Sequence, residues 1–93
     1  MVDGSTKLTM PQSVLVRKIH EEMVLLDMAS EQYFGLDEVG TCVVEAISDG
    51  ATVDGAVAAV TEEFDGPEEA VRVDVIALIE ELVANGLLGV SLP

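Results

Sequence analysis

The sequence predicts a small α+β domain, a three-stranded antiparallel sheet followed by three helices. Three observations carry that expectation. Residues 14–36 hold three short apolar runs with no helical period. From Asp37 onward the apolar residues recur at the spacing of a helix face. Cap and stop residues then divide the rest of the chain into three segments.

The first strand is read at Val14–Ile19, a short run rich in β-branched residues. The second is the apolar run at residues 23–28, and the third is Gln32–Leu36, which holds two of the three aromatic residues. His20-Glu21-Glu22 and Ala29-Ser30-Glu31 separate them as turns. Neither turn carries the Asn-Gly or Asp-Gly pair that would set a hairpin register. Asp37 is a good N-cap for the first helix, with Glu38 in its first turn. Val39, Val43, Ala46 and Ile47 form its apolar face, and Ser48-Asp49-Gly50 ends it. Thr52 caps the second helix, which places Val53, Val57, Val60 and Phe64 on one side. Asp65-Gly66-Pro67 breaks the chain again, and Pro67 suits the start of a third helix. That helix runs to Ala84 or Asn85, where Asn85-Gly86 stops it, and Leu87 and Leu88 fold back onto the core.

On the third helix, Val71, Val75, Leu78 and Leu82 lie within a sector of about 60° at 100° per residue, and form the expected core stripe. Ile79 stands at its edge. Beyond it come Arg72, Val83 and Ile76. The apolar band is wider than one packing contact needs. It either packs against two neighbours or lines a groove with its outer shoulder. Residues 1–12 are polar, carry Gly4 and Pro11, and read as a flexible lead-in. Residues 13–90 form the single domain, and the chain after Gly89 reads as a short tail.

Composition narrows the function. The chain has 93 residues, 49% of them apolar, with four basic residues against eighteen acidic ones and a net charge of −14. Nucleic acid and anionic membrane surfaces are poor partners, because binding them requires cations that this chain lacks. No apolar run approaches the ~20 residues that cross a bilayer. Residues 1–7 lack the basic start and apolar core of a secretory signal. The single cysteine, Cys42, suits a cytoplasmic protein.

Catalytic chemistry has no foothold in the sequence. The chain holds one histidine, His20, and one cysteine, Cys42, with no base placed to activate a nucleophile. No zinc or calcium ligand spacing and no glycine-rich phosphate loop is present. The carboxylate pairs at Glu21-Glu22, Glu62-Glu63, Glu68-Glu69 and Glu80-Glu81 read as solvated faces. No serine stands in the Asp-Ser-Leu context of an acyl carrier protein. The sequence therefore reads as a non-enzymatic module with no cofactor and no metal. The short aromatic run at Gln32–Leu36 is the most suggestive surface. A sheet edge there would offer unpaired N–H and C=O groups to an added peptide strand.

The stretch Tyr33-Phe34-Gly35-Leu36-Asp37-Glu38-Val39-Gly40 resembles the PqqD-like proteins, also called RiPP recognition elements. In that family a strand ends in leucine, an Asn or Asp caps a helix, and a small residue follows four positions after the leucine, as Gly40 does here. Asp49-Gly50 and Thr52-Val53 match its turn into the second helix, and Gly86-Leu87-Leu88 matches the end of its third. The Tyr-Phe-Gly-Leu-Asp version is most similar to the free-standing leader-binding proteins of lasso-peptide pathways. Those often carry a tryptophan in the first helix, around the position of Val44. The resemblance implies a winged helix-turn-helix-like fold and no catalysis. It implies a protein that binds the leader segment of a ribosomally made precursor peptide and delivers it to a leader protease and a cyclase or other modifying enzyme. It places the peptide beside Gln32, Tyr33, Phe34, Gly35 and Leu36, and against Arg72, Ile76, Ile79 and Val83 of the third helix. An acidic scaffold that docks a protein partner through the same shoulder is the alternative. The open sheet edge also offers a route to a homodimer.

Overall fold

The computed structural model describes residues 2–20 and 22–91. In chain order its elements are β1 (Lys7–Thr9), β2 (Val14–Ile19), β3 (Glu22–Asp27), β4 (Gln32–Leu36), α1 (Glu38–Ser48), α2 (Val53–Glu63), α3 (Glu68–Ala84) and β5 (Gly89–Ser91). The predicted sheet and the three predicted helices are all present, so the fold class is α+β as expected.

The sheet has the order β2-β3-β4, antiparallel throughout. Val16, Leu25 and Phe34 stand in one cross-strand row, and Leu15, Leu26 and Tyr33 in the next. Side chains alternate across a strand, so the two rows face opposite ways. Leu25 is fully buried and Phe34 packs against the core, whereas Tyr33 is 77% exposed. The hairpins are set by means other than Asn-Gly. Asp27 accepts from Ala29 N and Ser30 Oγ, both at 3.0 Å, and its carbonyl accepts from Glu31 N at 2.8 Å. His20 and Glu31 take left-handed conformations, with φ of 59° and 60°. Such turns normally use Gly or Asn, which is why the sequence did not mark them.

The helix ends follow capping chemistry. Asp37 accepts from Gly40 N at 2.9 Å, and Thr52 accepts from Gly55 N at 3.3 Å. Gly50 and Gly86 take φ of 95° and 74° directly after the C-caps of α1 and α3. Gly86 N donates to Val83 O at 3.0 Å and Leu87 N to Leu82 O at 2.8 Å. Gly50 N and Ala51 N repeat the pattern on Ile47 and Ala46. Both ends are Schellman motifs, and the second folds the buried pair Leu87 and Leu88 back as predicted.

Three readings change. Residues 1–12, expected as a lead-in, contain β1 and the buried side chains of Val2 and Leu8. The expected tail contains β5, which pairs with β1 in the register Leu8–Val90 and Thr9–Gly89. A Cβ at Gly89 would lie 2.9 Å from Thr9 Oγ1, so a larger residue there would displace the threonine hydroxyl. Strands of three residues carry too little pattern to be seen in sequence. Finally, the core stripe of α3 is Val75, Ile79 and Leu82, with Leu78 and Val71 only half-buried. Val2, Leu8, Leu87 and Leu88 join the same cluster and turn its centre toward Ile79.

The N-terminal segment therefore contributes to stability. Leu8→Ala removes a side chain only 6% exposed and is expected to cost about 2–4 kcal/mol in chemical denaturation. A lead-in residue would cost almost nothing.

Candidate peptide-binding edge

β4 is one of the two outer strands of its sheet, so among the described residues its far side pairs with no strand. Along it Gln32, Tyr33 and Gly35 are exposed, Phe34 is half-buried and Leu36 is buried. Gly35 meets no atom within 4 Å of where a Cβ would stand, and its φ is not left-handed. Nothing in the packing requires glycine there. Glycine in a strand weakens it, and such positions often mark close approach of another chain.

Two hollows lie along α3, and the first of them reaches this edge. A small one, about 30 Å³, is lined by Asp27, Gln32, Tyr33, Phe34, Asn85 and Leu87, and joins the start of β4 to the end of α3. A larger one, about 270 Å³, lies where the first turn of α1, directly after β4, faces the first turns of α3; Val39, Phe64, Val71 and Val75 give it apolar walls. Val39 and Phe64 also border an open hollow of about 840 Å³ with His20, Glu22, Asp37 and Glu38. At 100° per residue, Val71, Leu78 and Asn85 fall within about 40° of one another on α3. Val71 lines one hollow and Asn85 the other, so Leu78 stands on the flank that joins them.

The four helix residues expected to meet a peptide sit elsewhere. Ile79 is fully buried in the core. Arg72 Nη1 lies 2.7 Å from Asp54 Oδ1 at the start of α2, and Nη2 lies 3.6 Å from Glu68 Oε1. These carboxylates, Asp54 first, hold the guanidinium firmly in its charged form. Ile76 and Val83 fall within about 40° of Arg72 around α3 and share its flank. None of the four lines the hollows beside β4. The sequence pattern put Ile79 at the edge of the core stripe, and the structure puts it among the fully buried residues. The one cation of this region is paired with Asp54 of α2 and with Glu68 of its own helix.

The sequence profile described as coenzyme PQQ synthesis protein D (PqqD) matches residues 22–88. The chain belongs to the PqqD family. No curated protein is significantly similar to it over its sequence. Among solved structures, this PqqD family chain is similar to TbiB1 in complex with the TbiA(beta) leader peptide, at 28% identity and a TM-score of 0.81, over 85% of this chain and 92% of that one. It is also similar to a lasso peptide synthetase B1 complexed with the leader peptide, at 25% identity and a TM-score of 0.77, over 94% of this chain and 99% of the other. The family resemblance drawn from Tyr33 to Gly40 is thereby confirmed.

The remaining reactive side chains of this PqqD family chain lie away from β4. Among the described residues, no group of three or more His, Cys, Asp or Glu could hold a metal ion. Cys42 is buried in α1, and its Sγ donates to Glu63 Oε2 at 3.4 Å. Burial pushes the thiol up to about 11, with further help from the Glu63 hydrogen bond and charge and from Glu45. The folded chain thus keeps a proton that the unfolded thiol releases at lower pH. Stability should fall as pH rises from about 9 to about 11. Denaturation of the chain and of Cys42→Ala across that range measures the difference, and the variant should lack this part of the slope. At pH 8 the native thiol should also react with a disulfide reagent at least ~100-fold more slowly than the denatured one.

Proposed function

We propose that this protein binds the leader segment of a ribosomally made precursor peptide, of the lasso-peptide type, as a non-catalytic module in the cytoplasm. The observation that carries the reading is the open edge of β4 beside the two hollows of α3. It occurs in a chain that shares its fold with two proteins held in complex with leader peptides. The leader adds an antiparallel strand to Gln32–Leu36 and seats apolar side chains on the Val71–Leu78 flank. Backbone hydrogen bonds give affinity, and the hollows give specificity. Phe34 and Leu36 fix the edge from inside, while Tyr33 stands beside the added strand.

Delivery to a leader protease and a cyclase needs a second surface that remains open when the leader is bound. The outer face of the sheet supplies one. Leu15 pairs across to Leu26 there, and Leu15 and Ile19 are themselves exposed.

The test is titration with a labelled leader from the precursor gene beside that of this chain, with hydrogen exchange in parallel. Amides of β4 should gain protection on binding, and protection confined to the helices would overturn strand addition. Tyr33→Ala should weaken binding by roughly 1–3 kcal/mol with the fold intact, because the ring is exposed. Leu78→Gln and Ile76→Gln form a matched pair, since both side chains are half-buried against the core. Leu78→Gln should weaken binding by about tenfold or more, and Ile76→Gln by less than about twofold. The reverse order would return the groove to the Arg72 shoulder.

A further inference from the structure

The acidic residues that line the three hollows have no lysine or arginine counterpart there. The small hollow holds Asp27. The larger one holds Asp65 and Asp74 against walls of Val39, Val60, Phe64, Val71 and Val75. The open hollow that meets it at Val39 and Phe64 adds Glu22, Asp37 and Glu38, with His20. No lysine or arginine lines any of the three. Two of the chain's four cations are already paired: Lys18 lies 3.0 Å from Glu45, and Arg72 is held by Asp54 and by Glu68 of its own helix. The exposed side of α3 next to this flank continues with Asp74 and Glu81. An apolar floor beside Asp65 and Asp74, lined by no lysine or arginine, disfavours an acidic peptide. Each unpaired carboxylate brought against it would meet like charge in a site partly cleared of water.

We propose that the peptide segment accepted beside β4 is basic as well as apolar, with a lysine or arginine next to the apolar side chain that enters between α1 and α3, within reach of Asp65 and Asp74. This rests on the leader-binding reading above and names the chemistry of the leader. The cation gains a paired carboxylate in a partly desolvated site, and the wider acidic field steers it inward. The net charge of −14 alone would attract a basic peptide to any face. The inference therefore concerns place, and the test must separate place from total charge.

The probe is a displayed library of random 15-residue peptides, selected on the purified full chain at near-physiological salt. Selected peptides are counted only if, once synthesised, they protect β4 amides from exchange. Among them, Lys and Arg should be enriched and Asp and Glu depleted beside an apolar pair. One such peptide is then titrated against two double variants with the same change in net charge. Asp65→Asn with Asp74→Asn should weaken binding by about fivefold or more. Glu69→Gln with Glu80→Gln, on the other side of α3, should change it by less than about twofold. The first loss should shrink at high salt, where charges are screened. Peptides that protect β4 but show no basic enrichment would overturn this inference and leave the leader-binding reading standing. Equal losses in the two double variants would show that only total charge matters and would overturn it as well. A selection with no peptide that protects β4 would overturn both.

Discussion

Two peptide N–H groups at the start of α2 decide much of this structure. The first N–H groups of a helix have no partner within it. Val53 N finds Thr6 O at 3.1 Å, and Asp54 N finds Gly4 O at 2.8 Å. The next donor, Gly55 N, is met by the Thr52 hydroxyl, and Ala56 N begins the helical ladder on Thr52 O. The N-terminal segment is thus tied to α2 by backbone hydrogen bonds as well as by the burial of Val2 and Leu8. α3 packs chiefly on α2, so its stance beside the sheet is inherited from that junction.

Charge contributes little to that architecture. The Arg72–Asp54 pair bridges α3 and α2, but both side chains are largely exposed, and pairs of that kind are worth at most about 1 kcal/mol. The buried cluster and the satisfied helix ends hold the fold. The excess of acids is then free to serve elsewhere. It keeps a small apolar protein soluble, and along the hollows it sets the character of what can approach.

The legible parts of the sequence are those with a long pattern or a strong local signal. Asp37, Thr52, Asp49-Gly50 and Asn85-Gly86 marked helix ends, and the structure uses each of them as a cap or stop. The strands at Val14–Ile19 and Gln32–Leu36 were bounded correctly because polar turns flank them. What escaped was decided by partners far away in sequence. Leu8 and Val90 are single apolar residues in polar surroundings, and only their pairing across the whole chain makes them strands. The rotation of α3 had the same origin. Its apolar band fits two orientations, and the cover supplied by residues outside the helix selects the one centred on Ile79. The edge strand was legible from Tyr33 and Phe34; the helix flank beside it was not, because Leu78 and Ile76 look alike without knowledge of that cover.

The two outer strands of the sheet also differ in a way that bears on strand addition. An open edge is a pairing site unless something blunts it, and cationic side chains are a common device. β2 carries Arg17 and Lys18 side by side at the middle of its length. β4 carries no charge and no proline within Gln32–Leu36, only Gln, Tyr, Phe, Gly and Leu. One edge is thus guarded and the other left receptive. The guard has a sign as well as a place: a peptide with lysine or arginine meets repulsion along β2 and acidic walls beside β4. With Lys18 paired to Glu45, it is Arg17 that would help direct a basic leader to one edge of a sheet that, by backbone geometry alone, offers two.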